Sequence, residues 1–281
     1  MDLSDKNDLL WLSELVRDLR QAAPAHEPLM VGAMARDLLL HYGYGVRITR
    51  ATTDVDLAFA VADWDEFNVL RKVLIDSQSF TPSPSVKYKL FHRERIAIDL
   101  IPFGGVEDSA GRIMWPADES LMCVLGYREA HATGVELLLP RGQRIPTVSL
   151  PMLATLKVIA WAERHTTQPR KDANDLLLVL RNYLSKANAE RLYNEAPDLL
   201  ESEVFDYEVA GAWLAGRDAA EAIMTTSAEP ERLLNAVRDV LVSEANPDGP
   251  LHLVGEGGSD AQMALRLLQG FLNGLSAGLM S

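Results

Sequence analysis

The sequence predicts an α+β fold in two parts, an αβ domain over residues 1–148 followed by a helical domain over residues 149–281. Three observations predict it. Short apolar and β-branched runs alternate with helical periodicity up to Val148, only helical periodicity follows Ser149, and no repeat or low-complexity tract interrupts either part. With 281 residues, 48% hydrophobic and 24% charged, the chain is long enough to bury its cores without covalent staples. A single cysteine, Cys123, excludes an internal disulfide and a thiolate metal cage, which fits a reducing compartment.

Taken in order, Leu9, Leu12, Val16 and Leu19 recur at helical spacing, so an amphipathic helix comes before the break at Pro24 and Pro28. Leu29, Met30 and Val31 form a short apolar strand that ends in the small residues Gly32 and Ala33, and a helix over residues 34–41 follows. After a loop at Gly43 and Gly45, residues 50–61 lead into a strand whose second half is apolar and β-branched. Residues 63–76 predict a helix. Residues 86–91 and 96–103 predict two strands joined by a charged turn at 92–95, and 135–139 with 144–148 predict a hairpin. Ser149 is placed to cap a helix with Pro151 in its first turn, running to Arg164. The remaining helices are expected at 170–185, 204–215, 229–244 and 260–275.

Charge narrows the partners. The 27 basic and 40 acidic residues leave a net charge of −13, which by itself disfavours nucleic acid, because phosphate contacts need Lys and Arg. The excess is local. Residues 195–260 hold 15 acidic residues against Arg217, Arg232 and Arg238, so that segment carries −12 and the rest of the chain only −1. A polyanionic substrate is disfavoured near the acidic segment and tolerated elsewhere. The opening residues are acidic where a signal peptide is basic, and no stretch reaches the ~18–20 apolar residues that span a bilayer, so a cytoplasmic protein with no membrane partner is expected.

Asp54 and Asp56 are the most informative pair. Side chains at i and i+2 of a strand point to the same face, which places two carboxylates within a few ångströms. Such a pair persists when a proton or a cation stands between its members, and hard oxygens of this kind suit Mg²⁺ held jointly with substrate phosphates. Asp99, between Ile98 and Leu100 on another expected strand, is a third carboxylate that neighbouring strands can bring to the same edge. Three such groups can hold two metal ions. An arbitrary Asp-x-Asp is more often a solvated strand end. What changes that reading is the upstream Gly32-Ala33 turn, whose backbone N–H groups, entering a helix, can cradle phosphate.

Lys157 interrupts the apolar run of residues 153–162, and a lysine desolvated on a buried helix needs a counter-charge unless its ammonium snorkels to water. Asp172 and Asp175 lie three apart on one helical face, where they also complement the helix dipole. Lys87, Lys89, His92, Arg93 and Arg95 make a basic hairpin beside Asp99 that either receives an RNA backbone or balances the carboxylates, ordinary surface charge being the plainer reading. Residues 253–260 imitate a phosphate loop but lack a following lysine and carry two acids, which fits a connector capped by Ser259 or Asp260. Six scattered histidines offer no metal-ligand spacing.

In order and together these features resemble the nucleotidyltransferase superfamily that includes DNA polymerase β, and more narrowly the AbiEii-type toxin nucleotidyltransferases of abortive-infection and toxin–antitoxin systems. The resemblance is carried by Val31-Gly32-Ala33-Met34-Ala35-Arg36-Asp37, Arg50-Ala51-Thr52-Thr53-Asp54-Val55-Asp56, Ile98-Asp99-Leu100-Ile101-Pro102-Phe103, Leu156-Lys157-Val158-Ile159-Ala160 and Arg170-Lys171-Asp172-Ala173-Asn174-Asp175-Leu176. It spans roughly residues 28–185, a domain-sized stretch. One position departs from the family pattern: Ala33 stands where Gly or Ser is usual, keeping the backbone donor without the hydroxyl or the freedom to take positive φ.

The resemblance implies a nucleotidyltransferase-like mixed sheet with flanking helices, followed by a helical domain that contributes Lys157 and an acidic helix to the site. It implies transfer of a nucleoside monophosphate from an NTP to an acceptor hydroxyl, with two Mg²⁺ ions held by Asp54, Asp56 and Asp99. Gly32 and Ala33 would seat the phosphates, with Arg36, Arg50, Thr52 and Thr53 beside them, Lys157 compensating the departing pyrophosphate and one of Asp172 and Asp175 in the site. A tRNA end or a small molecule is the implied acceptor, and a cognate antitoxin the implied protein partner. Two other readings stay open: a catalytically silent nucleotide-binding or interaction protein of the same fold, and a metal-dependent phosphohydrolase.

Overall fold

The computed structural model describes residues 1–48, 52, 54–185, 188–201, 205–246, 248, 253 and 260–279. Arg50, Thr53 and most of the glycine-rich segment 253–260 therefore lie outside the described residues. The chain divides into two units, Met1–Leu38 with Ile48–Ser149, and Leu39–Arg47 with Leu150–Ser281.

In the first unit the leucine stripe folds as its spacing dictates. Helix α1 (Leu10–Ala22) buries Leu12, Leu15, Val16 and Leu19 on one face. Strand β1 (Leu29–Val31) is buried throughout and turns at Gly32 directly into α2 (Gly32–Leu38). Strand β2 (Asp54–Val61) buries Val55, Leu57, Phe59 and Val61 on one face and turns Asp54 and Asp56 to the other, the period-two pattern its sequence carries. Asp63 then caps α3 (Trp64–Asp76), accepting from the Glu66 amide at 2.8 Å. Strands β3 (Phe80–Pro82), β4 (Lys89–His92) and β5 (Ile96–Gly104) follow, then a small hairpin of β6 (Arg112–Met114) and β7 (Leu121–Cys123), helix α4 (Tyr127–Ala132), and strands β8 (Val135–Leu138) and β9 (Arg144–Thr147).

Seven of these strands form one mixed sheet in the order β3-β4-β5-β2-β1-β9-β8. The central pair, β2 and β5, runs parallel from Asp54 opposite Ala97 to Val61 opposite Gly104. Antiparallel neighbours flank it, β1 on β2 and β4 on β5. This central register is what gathers the charged residues.

Strand β4 begins at Lys89, later than the sequence pattern suggests, because residues 86–88 close a turn in which the Lys89 amide donates to Val86 O at 3.1 Å. It also ends later. His92 is buried inside the strand, its Nε2 2.9 Å from Asp18 Oδ2, and the turn falls at Arg93 and Glu94, both with positive φ. Strands β3, β6 and β7 and helix α4 have no counterpart in the sequence reading. Three-residue strands, one ending in Pro82, are too short for alternation to show.

The second unit is helical: α5 (Leu150–Arg164), α6 (Pro169–Asn182), α7 (Glu190–Glu195), α8 (Tyr207–Thr226), α9 (Pro230–Glu244) and α10 (Ala261–Gly278). Asp206 caps α8 through the amides of Glu208 and Val209, and Asp260 caps α10 through that of Met263. Helices α8 and α10 approach so closely that a Cβ at Gly274 would lie 1.9 Å from Trp213 O, which explains a glycine in mid-helix there. Among the described residues no helix is long and apolar enough to cross a membrane.

Candidate active site

The sheet register builds the first cluster. Val31 pairs with Asp56 across β1 and β2, Asp56 with Asp99 across β2 and β5, and Lys89 with Asp99 across β4 and β5. Directly paired residues of neighbouring strands project to the same face. Lys89, Asp99 and Asp56 therefore stand in one row, with Asp54 one pleat away on the same face of β2. The three carboxylates expected to converge share one rim of the sheet.

Next to Val31, Gly32 has φ of +71°, and a Cβ placed on it would lie 1.8 Å from Asp56 Oδ2. Both facts exclude a side chain: the conformation is left-handed, and the carboxylate fills the space a methyl group would need. The turn expected to seat phosphate and the strand expected to hold metal are thus in contact through Gly32 and Asp56. Ala33 follows, half-buried, in the first turn of α2.

A cation stands among these acids. Lys89 Nζ is 3.4 Å from Asp54 Oδ2 and 3.4 Å from Asp99 Oδ1. Burial works against the charge of Lys89, but Asp99 and Asp54 more than offset it, and the ammonium's pKa is raised above its ordinary value. Exposure grades across the row, with 48% of the Asp54 side chain accessible against 22% each for Asp99 and Lys89. Asp54 is more open than Asp99 to solvent and to anything that arrives from it.

The other first-unit residues take different places. Thr52 Oγ1 lies 3.4 Å from both N and O of Asp54, steadying the entry to β2. Thr52 also lines an open cleft of about 480 Å³ with Trp11, Glu14, His92, Arg93 and Arg95. Arg36 is buried, and its guanidinium is engaged by Asp37, with Nε donating at 2.7 Å.

Lys157, Asp172 and Asp175 are brought together inside the second unit. Lys157 on α5 donates to Asp172 Oδ1 at 3.0 Å and to Asp175 Oδ2, both on α6. Arg164, at the end of α5, grips Asp172 with two bonds of 2.6 and 2.8 Å. Asp172 has no exposed surface and Lys157 only 7% of its side chain. Burial would raise the Asp172 pKa, but the hydrogen bonds from Arg164 and the charge of Lys157 hold it below the ordinary carboxylate value. Burial draws the Lys157 ammonium below its ordinary pKa, with Asp172 opposing.

Among the described residues, no group of three or more His, Cys, Asp or Glu side chains is placed so that together they could hold a metal ion. Asp54 and Asp99 nevertheless lie close enough for one ammonium to touch both, and Asp56 is beside Asp99 in register. Carboxylate oxygens so placed fit Mg²⁺, which uses one or two protein carboxylates and completes its shell with water and substrate phosphates.

Two participants escaped the sequence reading or were undervalued by it. The sequence offers Lys89 as a balance for the carboxylates but makes surface charge the plainer reading, and its position opposite Asp99 follows only once the hairpin register is known. Arg164 reads from the sequence only as a helix end, although it lies two turns from Lys157, on a face that α6 covers.

A family model described as nucleotidyl transferase AbiEii toxin, type IV TA system, matches residues 14–241. No curated protein matches the chain.

Proposed function

For this chain, which belongs to the AbiEii nucleotidyl transferase toxin family of type IV toxin–antitoxin systems and is a nucleotidyltransferase, we propose Mg²⁺-dependent transfer of a nucleoside monophosphate from an NTP to an acceptor hydroxyl. The observation that carries the proposal is the alignment of Asp56 with Asp99, with Asp54 on the same face and Gly32 against Asp56. Asp54, Asp56 and Asp99 are the residues that would hold two divalent ions. When bound, such ions stabilise the attacking and leaving oxygens of an in-line displacement.

The chain's own groups do the rest. The amides of Gly32 and Ala33 receive the triphosphate, and the absence of a side chain at residue 32 lets it approach Asp56 closely. Asp99 accepts the proton of the acceptor hydroxyl. Thr52, beside the entry to β2, and Arg50 and Thr53, as the resemblance implies, would complete the phosphate contacts. Arg36, whose Nε donates to Asp37 within α2, is the further basic group proposed beside the phosphates. In the helical domain of residues 149–281, Lys157 is proposed to answer the charge of the departing pyrophosphate, with Asp172 and Asp175 positioning its ammonium.

A tRNA end is the acceptor we favour. The resemblance implies it, and the near-neutral charge of the chain outside residues 195–260 tolerates a polyanion. A small cationic acceptor would instead suit that acidic segment. A cognate antitoxin is the expected protein partner, and the cytoplasm the expected compartment.

The test is incubation with α-labelled NTPs, Mg²⁺ and either tRNA or small-molecule acceptors. Label should move to the acceptor and should be lost in Asp54→Asn. Released phosphate without labelled acceptor would mark a phosphohydrolase. Tight NTP binding with no transfer to any acceptor would mark a silent binder.

A further inference from the structure

Lys89 is the charged residue of the rim to which the family resemblance assigns nothing. It sits on β4, opposite Asp99 in the antiparallel ladder, and reaches two carboxylates that belong to different strands. Like charges on neighbouring strands repel, and a cation between them relieves the repulsion. An ammonium does this as a compact point charge on a flexible four-carbon stem, with no fixed fork geometry to satisfy. Both contacts, at 3.4 Å, are ion pairs at the long end of hydrogen-bonding distance, so neither is a tight bond that would be costly to exchange.

A divalent ion would need the same oxygens. Asp54 Oδ2 and Asp99 Oδ1 cannot be drawn to a metal while an ammonium holds a place between them, and a second positive centre a few ångströms away opposes any cation that binds. The balance shifts when further anionic donors arrive with a ligand, because a triphosphate offers oxygens both to the metal and to the displaced ammonium.

Resting on the reading of Asp54, Asp56 and Asp99 as metal ligands, we propose that Lys89 is a resident counter-cation of the carboxylate rim. It competes with the divalent ion for Asp54 and Asp99, so that metal enters with the nucleotide rather than ahead of it. Lys89 keeps the acids apart from solvent cations in the resting protein and releases them when the triphosphate supplies an alternative partner.

The experiment is a titration of the full chain with Mn²⁺, without nucleotide, followed by electron paramagnetic resonance. Wild type is compared with Lys89→Met, Lys89→Gln and Lys89→Arg. Removing the positive charge should tighten Mn²⁺ binding by about tenfold or more, whereas Lys89→Arg should stay as weak as wild type. In thermal melts without metal, the neutral variants should unfold below wild type and recover more than wild type on adding Mn²⁺. Should Lys89→Met fail to fold, Lys89→Gln retains a polar head and gives the same readout. Unchanged or weaker Mn²⁺ binding in the neutral variants would overturn the role of Lys89 while leaving the carboxylates as metal ligands. The underlying reading fails in another way: Asp54→Asn added to Lys89→Met would leave Mn²⁺ binding unaltered, or no variant would bind Mn²⁺ at all. Either result also removes the proposal for Lys89.

Discussion

In the first unit three aspartates stand at a rim that water reaches and one lysine meets two of them; in the second, two aspartates share a lysine in the interior and an arginine grips one of the two. The residue types are nearly the same, and the accounting differs. The cluster of α5 and α6 is balanced, two acids against two bases, as burial demands, because an uncompensated charge there would cost several kcal/mol. The rim of β2, β4 and β5 sets Asp54 and Asp99 beside a lysine at long contact distance and leaves Asp54 half open to solvent. A balanced buried cluster fixes the position of its members, Lys157 included, whereas an accessible one held by long contacts stays open to arriving cations.

The largest effect expected of a single substitution is in the interior. Asp172→Ala leaves Lys157 and Arg164 without their shared acid and should destabilise the protein by about 3–5 kcal/mol in chemical denaturation. If the loss is under 1 kcal/mol, the contrast between the clusters is broken. At the rim, Asp54→Asn should leave the melting temperature near wild type while lowering transfer activity by about 10²–10³-fold, measured with labelled NTP. A stability loss as large as that of Asp172→Ala would show the rim to be structural too.

Gly32→Ala should fall between chemistry and structure. It forces an L-residue into the left-handed region at about 1–2 kcal/mol and pushes a methyl group onto Asp56. Stability and activity should therefore fall together, as melts and initial rates would show, and activity lost without stability would mean that the backbone yields there.

The smallest effect concerns pH. Burial in contact with Asp18 and Arg93 lowers the His92 pKa below its ordinary value, although Asp18 opposes the shift. The unfolded chain thus takes up this proton before the folded one does. The contribution of His92 to stability is full above its unfolded pKa of about 6.5 and declines as pH falls through that value toward the lower folded one. Melting temperatures between pH 8 and pH 5 should show this decline in wild type and less of it in His92→Gln.

Much of the rim was legible beforehand. Alternation of Val55, Leu57, Phe59 and Val61 with the two aspartates fixed which face Asp54 and Asp56 share, and Ile98 and Leu100 did the same for Asp99. Strand order was not legible, because β1 pairs with β2 soon after it and also with β9, more than a hundred residues later, and no local pattern encodes a partner so distant. For the same reason Lys89 looked like one of several exposed bases. Its meaning depends on register, which hairpin sequence constrains only when the turn is recognisable, and here the turn sits at Arg93 and Glu94 rather than at a glycine. In the helical unit the separate signals of Lys157, Asp172 and Asp175 were visible, but their mutual engagement rests on how α5 meets α6.

The nine residues Leu39–Arg47 belong to the second unit although the first continues after them. A ribosome emits them long before Leu150, so they wait for companions that do not yet exist. Cutting the gene after residue 149 would strand this short stretch, and cutting before 150 would deprive the helical portion of it. Whoever wishes to express either half alone should graft or replace that excursion first, and a protease that nicks it would damage two folding units with a single cleavage.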